Sequence, residues 1–224
     1  MKVEAIFRRR ALVGEDVAQL NHALVDKLSK IREIFVDQCD DRLAIFDRGT
    51  GESASTNLSP CLVQGVCGGV IYASRIQSMV KDRATSDDSL GLEINLEKID
   101  FVRFSSVVFP KIVHAFGPYR AAIVTDPDQE LDDYESVVEA SRTSNLDING
   151  RDGVFRFQSA NYFDNLLCTR AFGMGATDVA ARLAGHFDVV KEFDGGVFFL
   201  TADRPVRGTE SIEIDASVRR ILGL

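Results

Sequence analysis

Phe187-Asp188-Val189-Val190-Lys191-Glu192-Phe193-Asp194-Gly195-Gly196-Val197-Phe198-Phe199-Leu200 is the stretch that decides the fold of this chain. Two runs rich in β-branched and aromatic residues flank Asp-Gly-Gly, which reads as an antiparallel hairpin. After it, Ile212, Ile214, Val218, Ile221 and Leu222 suit a closing helix capped by Thr209 or Ser211. Before it, Thr177 caps a helix running to Leu183 and ended by Gly185. Further upstream, Asn149-Gly150 and Asp152-Gly153 are turn signals, and residues 154–157 read as a strand.

The amino-terminal half mixes the two periods. Residues 3–7 open as a strand with a charged exit at Arg8-Arg9-Arg10. Leu20, Leu24, Leu28, Ile31 and Phe35 recur at steps of three and four, so 17–35 is the clearest helix, with Asp16 as N-cap and His22 off the stripe. Residues 43–46 read as a short strand closed by a turn at 48–51, and 52–60 as a polar loop. The segment 61–79 fits neither period, and its second half is expected to be helical. Leu90, Leu92, Ile94 and Leu96 alternate strictly with Gly91, Glu93 and Asn95, as in a half-buried strand. A helix over 101–116, capped by Ser105 or Ser106 and stopped by Gly117-Pro118, leads to a strand over 119–125 whose centre is apolar throughout. Strands and helices without regular βαβ alternation make this an α+β chain. The expected architecture is a mixed, largely antiparallel sheet packed with helices in a single domain over 1–224, with 82–89 as the place where it would subdivide.

Composition excludes several classes. The 224 residues suffice for a full core, and 45% hydrophobic with 27% charged residues is ordinary for a globular chain. A formal net charge of −8 argues against nucleic acid as a partner, which needs a basic footprint. No apolar run suits a signal peptide or a membrane helix, so a cytoplasmic chain without a membrane partner is expected. Cys39, Cys61, Cys67 and Cys168 lack metal-site spacing and read as thiols in a reducing compartment.

Motifs of catalysis are missing from the sequence. Gly173-Met174-Gly175 has no strand before it and no lysine after it, which a phosphate loop requires. His114 reads as a core or boundary residue, and His186 as a helix-end residue suited to the helix dipole. No hydrolase, zinc-protease or cysteine–histidine signature occurs. No catalytic residue, cofactor or metal is therefore assigned. What stands out is acidic: Asp126, Asp128, Glu130, Asp132, Asp133, Glu135 and Glu139 occur with no lysine or arginine among them, and Leu131, Tyr134 and Val138 are spaced for one helical face. Such a run is commonly a solvated face. It also suits an electrostatic dock for a basic protein, with Tyr134 as an anchor. The candidate partner-binding residues are Asp126, Asp128, Glu130, Asp132, Asp133, Tyr134 and Glu135.

The chain resembles the immunity protein 52 family. The resemblance rests on Gly153-Val154-Phe155-Arg156 through Tyr162-Phe163, on the hairpin quoted above with Thr201 and Arg204-Pro205-Val206, and on the closing helix. In the middle it rests on Ser89-Leu90-Gly91-Leu92, Ala115-Phe116-Gly117-Pro118-Tyr119 and Ile123-Val124. The family carries tryptophan in the segment matching Gly153-Val154-Phe155, where this chain has Phe155 and no tryptophan anywhere. The resemblance implies an immunity protein of a polymorphic toxin system, in a toxin–antitoxin or type VI secretion setting. It would bind and neutralise a cognate toxin, often a nuclease with a basic active-site cleft, and it transfers no catalytic residues. Two other readings stand beside it: a small hydrolase-like enzyme with unmarked acid–base residues, and a structural or assembly protein.

Overall fold

The computed structural model describes residues 1–36, 44–45 and 53–224. Nine strands among them form one sheet: β1 (Lys2–Arg10), β2 (Ala44–Ile45), β3 (Ala54–Asn57), β4 (Val66–Tyr72), β5 (Asp87–Asn95), β6 (Arg120–Val124), β7 (Ala160–Asp164), β8 (Val189–Phe193) and β9 (Gly196–Leu200). Their order is β2-β3-β4-β5-β1-β6-β7-β9-β8, and every neighbouring pair is antiparallel. The α+β expectation holds, with the sheet wholly antiparallel among the described residues.

Side-chain alternation gives the sheet two unequal faces. On the first, register aligns Val70, Leu90, Phe7, Ala121, Tyr162 and Phe198 in one row, all buried. This face is covered by α1 (Val17–Ser29) and by a helical run made of α2 (Phe101–Arg103), a π-helical segment (Phe104–Val108) and α3 (Phe109–Phe116). Phe109 is fully buried between Phe7 and Phe198, at ring-centroid distances of 5.1 and 5.9 Å. On the second face α5 (Asn165–Phe172), α6 (Ala176–Leu183) and α7 (Thr209–Leu222) pack on β7, β9 and β8 around Phe157, Phe163 and Phe199. The second-face row therefore changes character along its length. It runs Ile71, Ser89, Arg8, Arg120, Phe163 and Val197, from an exposed isoleucine to a buried valine.

Several local expectations hold. Asp16 caps α1, accepting from the Ala18 and Gln19 amides, and His22 is exposed. Gly117 ends α3 in the left-handed region. Asp194 and Gly195 both have positive φ, 51° and 76°, as a two-residue hairpin turn of this type requires.

Others are corrected. Arg8-Arg9-Arg10 continues β1 instead of leaving it, because Arg9 pairs with Glu15 and Asp88, and Arg10 with Asp164. The first helix stops at Ser29, and Phe35 forms a bridge with Leu62 instead of a further turn. The polar stretch before Pro60 contains β3, held by pairing with β4. No helix forms in the second half of 61–79, where β4 runs to Tyr72 and turns follow; Gly68 and Gly69 obscure the alternation of β4, and a Cβ at Gly68 would lie 2.0 Å from the Gly91 carbonyl oxygen. The helix over 101–116 is capped by Asp100, not by a serine. It passes through Pro110 because the preceding π-turn, closed by the Phe109 amide on the Phe104 carbonyl, loosens the turn that proline would otherwise clash with. Residues 154–157 form no strand, and Gly175 and Gly208 stand at the starts of α6 and α7 in place of the expected caps. Cys61 is disulfide-bonded, against the expectation of thiols, while Cys67 and Cys168 are free. Cys39 and the turn at 48–51 lie outside the described residues.

Phe109→Ala is expected to lower unfolding free energy by about 3–5 kcal/mol in denaturant titration, the cost of emptying a fully buried aromatic position. Leu131→Ala, at a side chain 73% exposed, should stay within about 0.5 kcal/mol of the parent.

Candidate functional site

The acidic run folds as α4 (Pro127–Ser144), longer than its expected second half. Asp126 is its N-cap, accepting from the Gln129 amide, and Pro127 occupies the first turn, where its missing N–H costs nothing. Asn145 ends the helix in the left-handed region. No residue of α4 is buried. Polar struts hold it in place. The Gly208 amide donates to Asp126 at 2.6 Å, Arg156 donates to both carboxylate oxygens of Asp133 at 2.5 and 2.9 Å, and Gln158 donates to Glu130 at 3.1 Å.

Beneath α4 lies the part of the second sheet face that α5–α7 leave uncovered. Helix and sheet enclose a cleft of about 900 Å³. Glu130, Asp133, Tyr134, Val137 and Ser141 line it from the helix, at the steps of three and four that one helical face allows. Arg8 forms its floor, and Phe155 and Arg156 close one end. A recess of about 40 Å³ continues inward past Arg8 to Arg120, with Asn149 and Glu130 at its mouth.

The charges in the recess perturb one another. Burial, and after it the neighbouring Arg8, push the Arg120 guanidinium down to about 10 against the opposing pull of Tyr119, Glu130 and Asp147; it remains a cation at neutral pH. Burial raises the Glu130 carboxyl above the usual carboxylate range, with Arg120 and Arg8 pulling it back. In a second buried cluster Tyr119 and Arg151 donate to Asp87 at 2.6 and 2.8 Å. It ties β5 to β6 and to the loop after α4.

The seven expected contact residues separate. Asp126 caps the helix, Glu130 and Asp133 face the cleft and are engaged in struts, and Tyr134 lies at the cleft rim with 64% exposure. Asp128, Asp132 and Glu135 are exposed on the opposite side and, with Glu139, form one acidic ridge. Leu131, Tyr134 and Val138 run between that ridge and the cleft as an exposed apolar strip, with Tyr134 and Val138 also lining the cleft, so their common spacing marks an exposed face and not a core stripe. Arg8 and Arg120 were not singled out in the sequence. An isolated arginine before an apolar run reads as a strand end, and only the β1–β6 register brings the two together.

The remaining features are structural. Gly173-Met174-Gly175 joins α5 to α6, a helix–helix link without the strand that a phosphate loop needs. His114 is exposed, correcting its expected core or boundary place, and lies 3.4 Å from Asp194. Among the described residues no three potential metal-binding side chains cluster, and no helix is long and apolar enough to cross a membrane.

Glu130 is expected to titrate above the ordinary carboxylate range in carboxyl-detected NMR, and Arg8→Gln should move it higher still. The sign for stability follows. A carboxyl whose folded value is raised contributes most below its unfolded pKa and loses that contribution as pH rises through the folded value.

No family model matches the chain, and no curated protein matches it, so the resemblance to immunity protein 52 has no family model behind it. Among solved structures the chain is similar to the Pseudomonas aeruginosa T6SS protein PA0821, with a TM-score of 0.55 and 9% identity, over 99% of this chain and 72% of that one. At that identity the two share a fold.

Proposed function

We propose that this chain is a binding protein that docks a basic protein partner on the outer side of α4, and that it is the immunity protein of a toxin. The observation that carries the reading is α4 itself. It is an eighteen-residue helix with nothing buried, presenting Leu131, Tyr134 and Val138 beside the ridge of Asp128, Asp132, Glu135 and Glu139. An aromatic and aliphatic strip flanked by one sign of charge is the composition of a docking surface, with the strip contributing affinity and the ridge the encounter rate. A nuclease effector fits as the partner because its substrate cleft is basic. The fold shared with a T6SS protein supports a secretion-related setting. The disulfide at Cys61 weighs against the cytoplasm as the working compartment. A thiol titration of the unfolded, unreduced protein decides this: all four cysteines react if the bond is absent, and fewer if it is made.

The test is co-purification with the inactivated product of the adjacent open reading frame, followed by stopped-flow association at low and high salt. The triple variant Asp128→Lys, Asp132→Lys, Glu135→Lys should slow association at low salt by about tenfold or more and flatten its salt dependence, with dissociation changed little. Tyr134→Ala should act chiefly on dissociation. A stable complex with unchanged kinetics in both variants would remove α4 as the dock. The lack of any complex would remove the immunity reading.

A further inference from the structure

The three consecutive arginines of β1 meet different surroundings. Arg9 is paired with Glu15 and Asp88, and Arg10 with Asp164 while stacking 4.2 Å from the Tyr119 ring. Arg8, on the cleft floor, forms no ion pair with a described carboxylate. Its register partner Arg120 is only 8% exposed, and its Nη1 meets no hydrogen-bond partner among the described residues. Two guanidinium groups side by side on one sheet face, one of them buried, repel each other and lack the acceptors that normally accompany a buried cation. Glu130 is the carboxylate lining their recess, and it is itself engaged by Gln158. An arrangement unfavourable to the protein alone is what a site for a bound anion looks like before its ligand is added.

We propose that Arg8 and Arg120 form an oxyanion site for the carboxylate or phosphate-monoester head of a small organic ligand, whose apolar body lies in the outer cleft beneath α4. The recess of about 40 Å³ has room for one compact group, and Asn149 at its mouth offers an amide donor. The outer cleft is more than twenty times larger, and Tyr134, Val137, Val138, Leu146 and Phe155 give it apolar walls. The two compartments share Arg8 and Glu130, so a ligand with a charged head and an apolar body spans both. Glu130 sets the polarity of the site: as a carboxylate it repels the incoming head, and protonated it can donate to it. The site goes beyond the docking reading and lies on the cleft side of the same helix, meeting the docking strip at Tyr134 and Val138.

The experiment is calorimetric titration of the full chain at low salt with phenyl phosphate, benzoate, inorganic phosphate and, as the cationic control, benzylamine. Saturable 1:1 binding of phenyl phosphate or benzoate, with none of benzylamine, is expected, and the stronger of the two identifies the preferred head. Inorganic phosphate separates the head's contribution from that of the apolar body. Arg8→Gln and Arg120→Met should each weaken binding by about tenfold or more, the usual size for a lost charged hydrogen bond. Arg120→Met should melt at the same temperature as the parent or higher, because it removes a buried charge without an acceptor; a structural arginine would lower it. Arg8 is partly exposed, so Arg8→Gln keeps the test decisive if Arg120→Met fails to fold. The charge-reversed ridge variant should keep ligand affinity, which separates this site from the dock. Absence of binding by both aryl anions, or parental affinity in either arginine variant, would overturn the proposal.

Discussion

An antiparallel sheet needs to bury only one face, and in this molecule helices pack along most of the first face and over part of the second. The first face is packed from β3 to β9 by α1 and the α2–α3 run, with Phe109 as the ring that joins β1 to β9, and its row ends at the exposed Lys191 on β8. The second face is sealed over β7, β9 and β8 and left open over β1 and β6. What occupies the open part follows from that incompleteness. The row that is phenylalanine and valine on the covered strands becomes arginine on the uncovered ones, and α4 stands off the sheet on polar struts instead of packing onto it.

Struts and packing differ in consequence. A helix seated by apolar burial loses that stabilisation steadily as it moves away, whereas one held by a few directional contacts is released when they break. The Asp133–Arg156 pair, the Glu130–Gln158 bond and the Asp126 cap are the contacts that fix α4 against the body of the protein. Both faces of the helix are consequently accessible, the outer one to solvent and the inner one over a cavity.

The sequence is informative where local chemistry and tertiary setting agree. The hairpin at residues 189–200 is legible because Asp194-Gly195 accepts positive φ and the flanking runs have no competing period. β5 is legible because both its faces obey period two. β4 escapes because Gly68 and Gly69 are there for backbone approach to neighbouring strands, so the alternation is diluted by residues with no side chain to alternate. β3 escapes because small polar residues form a strand only when a neighbour supplies the ladder, and β7 is masked by Asn161, whose buried amide donates to the Gln158 carbonyl. The acidic run was visible, but its division was not. Helical phase assigns Glu130 and Asp133 inward and Asp128, Asp132 and Glu135 outward once the helix is known to begin at Pro127. The arginine pair was the least legible, since Arg8 and Arg120 are 112 positions apart and meet only through register.

The place of β1 in the strand order bears on how the chain reaches this state. Strand β1 is central, held by β5 through Lys2–Asn95 and by β6 through Glu4–Val124. It cannot be paired on both edges until β6 has been made, and the ladders at both edges close long loops before they are rewarded. Its apolar residues Val3, Ala5 and Phe7 wait uncovered in the meantime. Folding is therefore expected to be slow, with β1 the segment most exposed to aggregation while it lacks its partners.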